Sequence, residues 1–371
     1  MDIFLTEDHR KLFKRVLALG KAMPKGDHES DSYAVDLVRW LAKNNLLAPL
    51  IGKGRISSRA LCVTRHALAY HSSLADSMFA MQGLGSYPIA LAGNAKQKKI
   101  LNEVVAGKRV AAFALTEPDA GSDIVSMQTT AKRDKKFYIV NGRKTFISNA
   151  GIADHYILFA KTSPELGKKG VSAFILEANT PGLKIERQEV VSPHPIGELV
   201  MKNCRIPAEN LLGSEGGGLR IALATLEVFR PTVGAAALGF AERALDETLS
   251  YTNTRKQFGQ RLNEFQGTQF RLADMAAQLA AAKSLVYTAA HQIDTQGEEI
   301  TLASSIGKMY ATEAAQTIID SAVQLHGGRG VLKDSITERL YRDIRSLRIY
   351  EGTTEIQKLV IARELIKKQN A

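Results

Sequence analysis

The chain has 371 residues, 45% of them hydrophobic and 23% charged, which is the composition of a globular protein large enough for two or three packed regions. Its net charge of +11 suits an anionic ligand, but the basic residues are scattered and none of the basic stretches carries interleaved aromatic residues, which argues against nucleic acid. No apolar run approaches the ~18 residues of a membrane span. Residues 1–17 mix both charge signs, which predicts a folded helix and not an export signal.

The two cysteines, Cys62 and Cys204, lie far apart in the chain and match no metal-ligand spacing. We expect buried thiols in a reducing compartment and no disulfide between them. These features predict a cytoplasmic protein without a bound metal.

Residues 1–109 are predicted to be mostly helical. Gly107 is placed to end the helix that begins after residue 95. In residues 31–50 the apolar side chains recur at helical spacing; they are Ala34, Leu37, Val38 and Leu41.

From Val110 to residue 213 the pattern changes to about six short β-rich segments separated by Gly, Pro, Ser and Asn, which predicts a small β-barrel or sandwich. Asn141-Gly142 lies between FYIV and RKTFIS. Because Asn-Gly favours the positive φ angles of a two-residue turn, this segment predicts a β-hairpin.

Long helical patterns return after residue 213, including 264–295 and 301–325. Pro231 is expected to kink the first of these helices or to follow a break in it. Because strands and helices do not alternate, a doubly wound nucleotide-binding fold is not expected. We predict a mainly α protein with three domains: an N-terminal helical domain (1–109), a middle β-barrel (110–213) and a C-terminal helical bundle (214–371).

The first stretch with chemical potential is ALTEPDAGSD, residues 114–123. It joins a strand-like segment to a turn that contains Gly121. The hydroxyls of Thr116 and Ser122, with nearby backbone amides, suit a polar ring or a phosphate. The alternative is a strand that simply ends in a loop.

The second stretch is KTFISNAG, residues 144–151. Phe146 and Ser148 alternate onto one face of a strand, where an aromatic ring and a hydroxyl suit a planar cofactor. The alternative is a core residue beside a surface polar group.

The third combines TRKQFG (254–259) with QLHGGRG (324–330). Gly327 and Gly328 allow close approach to a pyrophosphate, which Arg255 can pair with. A Gly pair at a helix end is more commonly a C-cap, and His326 is interpreted as a packing residue. The chain contains neither the GxGxxG fingerprint after a strand nor a Walker loop.

The fourth stretch is IYEGTTEIQ, residues 349–357, in which Glu351 stands between Tyr350 and Gly352. A lone glutamate is a surface residue in most proteins. The alternative is a catalytic base.

In this order, ALTEPDAGSD, TRKQFG, QLHGGRG and YEGTTEIQ resemble the signatures of the acyl-CoA dehydrogenase family, and the resemblance covers nearly the whole chain. It implies a helical N-terminal domain, a middle β-barrel and a C-terminal four-helix bundle. It further implies bound FAD, a homotetramer built from dimers (or a dimer), an acyl-CoA substrate and electron transfer to an electron-transfer flavoprotein.

The resemblance also assigns cofactor contacts. Residues 113–122 are expected at the flavin ring, and Phe146, Ile147 and Ser148 at its other face, where they reach its reactive nitrogen N5. Further residues are expected at its pyrophosphate and adenosine part across a subunit boundary, and at the closing edge of the site. The residues so assigned are Phe113, Leu115, Thr116, Gly121, Ser122, Phe146, Ile147, Ser148, Arg255, Phe258, Gln266, Gln324, Gly327, Gly328, Thr353 and Glu355.

Glu351 matches the position of the family's catalytic base. The implied reaction moves a proton from Cα of the acyl thioester to Glu351 and a hydride from Cβ to the flavin N5. Hydrogen bonds from the backbone N–H of the base and from a flavin hydroxyl stabilise the developing enolate. Tyr350 and the acyl chain are expected to desolvate the carboxylate and raise its pKa.

The resemblance places further residues near the substrate. Gly352 leaves room for the thioester, Ser122 is a contact of the bound acyl group, and Glu227 is expected at the pantetheine arm. Arg230 is either a substrate contact or a helix-end charge. Some family members carry the base on this helix, but Phe229 stands at that position here and accepts no proton.

Several positions depart from the family pattern. Phe146 replaces a common tryptophan, Val331 replaces a common aromatic residue, and Pro193-His194-Pro195 lies in an unusually short connection. The N-terminal third, which shapes the acyl pocket in the family, departs most, so straight, branched, cyclic and carrier-protein-bound acyl groups all remain candidates. An oxygen-reducing oxidase is the main alternative activity, and a non-enzymatic relative is the least supported.

Overall fold

The computed structural model describes residues 4–27, 30–51, 56–297, 300–333 and 335–369, and the chain divides into two compact units. The helical unit comprises Met1–Ala22, Ser57–Asp76 and Glu227–Ala371. The sheet unit comprises Met23–Ile56 and Ser77–Leu226.

The order of elements is helical, then β, then helical, which confirms the predicted fold class. The N-terminal helices are α1 (Glu7–Gly20), α2 (Asp31–Lys43), α3 (Ser58–His71), α4 (Ser73–Leu84), α5 (Tyr87–Ala92) and α6 (Ile100–Val105). The strands that follow are β1 (Ala111–Ala114), β2 (Thr130–Asp134), β3 (Phe137–Ser148), β4 (His155–Lys161), β5 (Val171–Glu177), β6 (Leu183–Arg187), β7 (Ile196–Pro207) and β8 (Leu211–Leu212). The remaining elements are α7 (Gly218–Thr254), the ribbon of β9 (Lys256–Gln257) and β10 (Gln260–Arg261), α8 (Gln266–Thr295), α9 (Ile300–His326), α10 (Ile336–Leu347) and α11 (Thr354–Gln369).

The sheet unit is built on a mostly antiparallel sheet with the strand order β6-β7-β3-β2-β4-β5-β8, and β1 pairs with β4 in parallel. Strands β4 and β5 are buried almost throughout, since apolar residues occupy both of their faces. Around them lies one apolar cluster that includes Leu115, Met127, Ile157, Phe159 and Ile175. The cluster packs directly beneath the end of β1, where the first motif stretch begins.

The predicted hairpin at Asn141-Gly142 is wrong. Strand β3 runs through both residues, and the turn between β2 and β3 lies instead at Lys135, whose φ is +51°. Gly142 has a φ of +151°, and a Cβ there would lie 2.4 Å from the Thr129 hydroxyl oxygen. The pairing of β3 with β7 shifts register between Val140 and Gly142. The extra residue of this irregularity lies in β7, where Lys202 and Asn203 (φ +52°) stand opposite Asn141, so the bulge is in β7 and the Asn-Gly pair continues strand β3.

Two helices predicted in the first third of the chain, α2 and α6, are present in the sheet unit. The four apolar residues chosen on α2 are fully buried. Helix α6 ends at Val105, and Gly107 follows with a φ of +66°, close against Ala42. The left-handed conformation explains why glycine stands there.

The core of the helical unit joins α3, α7, α8, α9 and α10 through residues such as Val233, Phe240, Val286, Ile318 and Ile344. Helix α7 is long and apolar enough by composition to cross a membrane, but 67% of the relevant window is buried inside the protein, as in a core helix. Pro231 lies within this continuous helix, so the break considered as an alternative does not occur.

Both cysteines are buried and free, in agreement with the prediction.

Candidate functional site

Glu351 lies in the turn between α10 and α11, in a backbone conformation that side chains rarely adopt. Its φ is +53°, and that of Gly352 is +92°. The amide of Gln357 donates hydrogen bonds to the carbonyl oxygens of Glu351 (3.3 Å) and Gly352 (3.0 Å). The Lys308 ammonium donates a third, of 2.8 Å, to the Gly352 carbonyl. A left-handed non-glycine residue costs about 1–3 kcal/mol, so these bonds hold a strained turn, as is common at functional sites.

The Glu351 carboxylate is shielded from water without being paired. Its Oε2 atom is inaccessible to solvent and has no hydrogen-bond partner in the part of the chain that the structure describes, although the residue as a whole is only half-buried. Burial raises the pKa of Glu351, while the charges of Arg65, Lys308 and Arg230 oppose that rise. The direction agrees with the expectation from sequence. A buried oxygen without a partner is rare in proteins and is what a proton acceptor requires.

Lys308 and Arg230 bring positive charge to this turn from α9 and α7. Lys308 is fully buried, and burial lowers its pKa to about 8. The Arg230 Nε is shielded from solvent without a described partner, and burial lowers the pKa of its guanidinium as well. Arg230 lies well inside α7, so its interpretation as a helix-end charge is wrong. One turn earlier, Glu227 accepts a 3.1 Å hydrogen bond from the Thr301 hydroxyl.

A buried ion pair joins Arg65 of α3 to Asp76 of α4. Arg65 donates two hydrogen bonds to Asp76, of 2.7 and 2.6 Å, and a third of 2.9 Å to the Thr232 hydroxyl. Although burial opposes its charge, Asp76 raises the pKa of Arg65. Burial raises the pKa of the Tyr350 phenol, on which both members of the pair also act. The sequence signal was an Arg and an Asp within two apolar helices, and the sequence analysis missed it.

In the sheet unit, a second buried ion pair connects the first two motif stretches. The Lys144 ammonium donates hydrogen bonds to the Glu117 carboxylate (2.7 Å) and to the Leu115 carbonyl (3.1 Å), and the Thr145 N–H donates to the Thr116 carbonyl (3.0 Å). Leu115 is buried, whereas Thr116 is only partly so. Lys144 and Glu117 were not singled out from sequence, because their pairing depends on the sheet. The pair fixes the backbone at the predicted flavin contacts.

The other predicted flavin contacts of residues 113–122 are Phe113, Gly121 and Ser122, and they differ in burial. Gly121 and Ser122 are exposed, and a Cβ on Gly121 would meet no atom within 4 Å. Phe113 is partly buried and packs against Phe159, with ring centroids 5.0 Å apart. The loop therefore leaves room for a ligand next to Ser122.

The KTFIS segment presents an exposed aromatic ring. Phe146 is 61% exposed and has a φ of +54°, because the pairing of β3 with β7 shifts register between Lys144 and Ile147. The Gln188 side chain accepts a 3.0 Å hydrogen bond from the Phe146 N–H, which holds this second bulge. Ile147 is buried and Ser148 is half-buried. A bulge thus interrupts the regular alternation, and it turns the ring outward.

The third stretch lies at the end of α9 and on the β9–β10 ribbon. Gly327 follows α9 with a φ of +58°, and a Cβ on it or on Gly328 would meet no atom within 4 Å. The glycines therefore form a helix stop and also an open surface. His326 stacks on Tyr251, with ring centroids 4.4 Å apart, and donates from Nδ1 to the Ala322 carbonyl, so the packing interpretation is confirmed.

The other predicted contacts of the helical unit are mostly exposed. Phe258, between β9 and β10, is 94% exposed, and the Thr353 hydroxyl accepts the Ile356 N–H at the start of α11. Four more predicted contacts are exposed: Arg255, Gln266, Gln324 and Glu355. Chemically, these residues suit a flavin dinucleotide. The hydroxyls, amides and arginine can donate hydrogen bonds to its polar groups, and the open glycines and the exposed aromatic ring leave space and apolar surface for it.

Two family models match most of the chain. Residues 112–204 match the model of the acyl-CoA dehydrogenase middle domain, and residues 216–366 match that of the acyl-CoA dehydrogenase C-terminal domain. A caffeyl-CoA reductase-Etf complex subunit of Acetobacterium woodii is 42% identical over 293 residues, which is 77% of this chain and 76% of that protein.

Two solved structures superpose over nearly the whole chain. Butyryl-CoA dehydrogenase from Megasphaera elsdenii is 34% identical with a TM-score of 0.90, covering 99% of this chain and 100% of that one. A prolyl acyl carrier protein oxidase is 30% identical with a TM-score of 0.90, covering 97% and 99% respectively.

Proposed function

Because the chain belongs to the acyl-CoA dehydrogenase family, we propose that it is an FAD-dependent enzyme that oxidises an acyl-CoA thioester to its α,β-enoyl form, with Glu351 as the catalytic base. The observation that carries the proposal is the shielded, unpaired Oε2 of Glu351 in its strained turn. Bound FAD supplies the hydride acceptor. The protein's own residues bind the substrate, hold the α-proton acceptor and exclude water.

The surroundings of Glu351 suit reversible proton transfer. Burial raises its pKa, which makes the carboxylate a stronger base than one in water. Arg65, Lys308 and Arg230 oppose this rise in pKa, because each favours the negative form. The left-handed φ of Glu351 and the bonds to its turn fix the side chain's direction. The substrate therefore meets a basic oxygen that needs little reorganisation.

The cofactor contacts follow the two units. In the sheet unit the ring would be held by residues 113–122 and by Phe146, Ile147 and Ser148, which the Lys144–Glu117 pair and the bulge support. In the helical unit the exposed ribbon and the open glycines would serve the pyrophosphate and adenosine part of a neighbouring subunit's cofactor. Those residues are Arg255, Phe258, Gln266, Gln324, Gly327, Gly328, Thr353 and Glu355.

Substrate contacts in this proposal are Ser122, Glu227, Arg230, Tyr350 and Gly352. The three-domain division at residues 109 and 213 and the homo-oligomeric state belong to the same proposal. So does an electron-transfer flavoprotein partner, since a relative is a subunit of a complex with Etf. The two free, buried thiols fit a cytoplasmic location.

A second candidate is oxidation of an acyl group carried on a carrier protein. The similarity to a prolyl acyl carrier protein oxidase favours it, and CoA and carrier proteins present the same pantetheine arm. Oxygen uptake without an added electron acceptor would identify an oxidase, and its absence a dehydrogenase.

The test is an anaerobic visible spectrum of the purified protein before and after addition of a panel of acyl-CoA thioesters. Bleaching of a yellow protein by one class of thioester is the expected result, and it would identify the acyl group. A yellow protein bleached only by carrier-bound acyl groups would support the second candidate. A protein that remains colourless after incubation with FAD would overturn both.

A further inference from the structure

The Ser148 hydroxyl, predicted to reach the reactive nitrogen of the flavin, has a partner that the motif did not reveal. Its Oγ lies 3.0 Å from Nε2 of His194, in the Pro-His-Pro segment that precedes β7. The segment is held in place directly after His194: Ser148 is paired with Ile196 in the sheet, and the Asn149 N–H donates a 2.7 Å hydrogen bond to the Pro195 carbonyl. Flanking prolines further restrict the backbone around His194.

The second ring nitrogen decides which way the hydrogen bond runs. Nδ1 of His194 lies 2.9 Å from the carbonyl oxygen of Ser192. A carbonyl oxygen only accepts, so Nδ1 carries the ring proton. In the neutral imidazole Nε2 is then an acceptor, and the Ser148 hydroxyl donates the hydrogen bond to it. The lone pairs of Ser148 Oγ are left to accept a hydrogen bond from another group.

We propose that His194 is a positioning residue that commits the Ser148 hydroxyl to act as a hydrogen-bond acceptor toward the flavin. This rests on the proposed function, in which Ser148 contacts the flavin ring and, as the resemblance implies, reaches its N5. An acceptor at that point favours the reduced flavin, whose N5 carries a hydrogen, over the oxidised flavin, whose N5 does not. A serine without His194 is free to rotate and donate to the oxidised form instead.

Two other features support an orienting role. Ser148 and His194 are both half-buried, and Ser148 follows two residues after the exposed Phe146, which is predicted to cover the flavin. The His194 ring is held at both nitrogens, by the Ser148 hydroxyl and by the Ser192 carbonyl. His194 therefore adjusts the cofactor of this particular chain without contacting the substrate.

The test is the midpoint potential of the bound FAD in the wild-type holoenzyme and in the variants His194→Phe, Ser148→Ala and the double variant. Loss of one neutral hydrogen bond changes an equilibrium about five- to tenfold, and tenfold corresponds to about 30 mV for a two-electron couple. We expect His194→Phe to lower the potential by up to this amount. In the Ser148→Ala background, the same substitution should have no further effect.

A matched variant controls for packing. His194→Gln retains an acceptor oxygen at similar reach and should restore most of the wild-type potential. If His194→Phe loses its FAD, His194→Leu, which also lacks an acceptor, takes its place in the comparison. An unchanged potential in both His194 variants would overturn the proposal. So would a shift in His194→Phe that persists without the Ser148 hydroxyl. If the wild-type protein binds no FAD, the proposed function fails first, whereas bound FAD without coupling rejects only the role of His194.

Discussion

Lys144 in the sheet unit and Lys308 in the helical unit are both fully buried, and burial lowers the pKa of each to about 8. Each acts on a glutamate, but the two glutamates differ. Glu117 accepts hydrogen bonds from Lys144 and from the backbone N–H groups of Gln128 and Thr129. Although burial alone would raise the pKa of Glu117, Lys144 lowers it.

Glu351 receives no such bonds on its shielded oxygen. Lys308 donates to the Gly352 carbonyl and not to the carboxylate, and burial raises the pKa of Glu351. The same two residue types thus build a satisfied support in one unit and a basic carboxylate in the other. Burial of a Lys and a Glu does not by itself distinguish structure from catalysis; hydrogen-bond satisfaction of the carboxylate does.

The largest expected effect is on activity at the unsatisfied glutamate. Glu351→Gln should lower kcat by about 10²–10⁴-fold, because a positioned proton acceptor is lost. FAD content should stay close to wild type and thermal stability should not fall, since the shielded carboxylate oxygen is not a structural partner. The exposed Glu165→Gln, matched in chemistry, should leave kcat unchanged.

The paired glutamate should respond in stability instead. Lys144→Met leaves Glu117 buried without its counter-ion, which costs about 3–5 kcal/mol of unfolding free energy. Denaturant unfolding of the purified protein measures this loss. Lys168→Met, at an exposed lysine of the same unit, is the control and should change stability by no more than about 0.5 kcal/mol. An equally small loss for Lys144→Met would remove the distinction between the two sites.

Replacement of Lys308, the other buried lysine, should change the pKa of Glu351 while leaving the carboxylate in place. Lys308→Met deletes a charge that favours ionised Glu351, so the pKa of Glu351 should rise further and kcat below that pKa should fall. The measurement is the acidic limb of the kcat profile, expected to move to higher pH. A limb that stays in place would show that Lys308 acts only through the Gly352 carbonyl.

The two glutamates should also give opposite pH dependences of stability. Glu117 has a lowered pKa, so its contribution is present above the unfolded pKa and is lost as the pH falls through the folded value. Glu351 has a raised pKa, so its contribution is present below the unfolded pKa and is lost as the pH rises through the folded value. With rising pH, the Tm of Glu117→Gln should fall relative to wild type, and that of Glu351→Gln should rise. Parallel trends would contradict the assignment.

The smallest expected effect concerns the end of the catalytic turn. Thr353→Ala removes the hydroxyl that accepts the Ile356 N–H at the start of α11, at a cost of about 1 kcal/mol. Thr353→Ser keeps the hydroxyl and should be near neutral in the same thermal unfolding assay. A loss shared by both variants would indicate packing of the methyl group and not capping.

The sequence was sufficient for the fold class and for the order of elements, because helical periodicity and short β-rich segments are local signals. It failed at Asn141-Gly142, since the φ freedom of glycine serves the close approach of Gly142 to Thr129 as well as it would serve a hairpin turn. It did not reveal that Met1–Ala22 and Ser57–Asp76 cluster with the C-terminal helices, because that grouping depends on tertiary packing.

The candidate site divides in the same way. Glu351, Phe146 and Ser148 were found from motifs. The residues that hydrogen-bond to these segments were missed, because they come from distant parts of the chain. Lys308 lies 44 residues from the carbonyl that it binds, and His194 lies 46 residues from Ser148. No local pattern predicts such pairs, and only the fold brings them together.

The most direct test of the central claim is the rate of anaerobic flavin reduction by an acyl-CoA substrate in a single turnover, measured across pH in wild type and Glu351→Gln. We predict a wild-type rate that rises with pH through the raised pKa of Glu351 and then levels off, because only the ionised carboxylate accepts the α-proton. The Glu351→Gln rate should be at least ~10²-fold lower and should lack this limb. A Glu351→Gln enzyme with the wild-type rate and the wild-type limb would contradict the account.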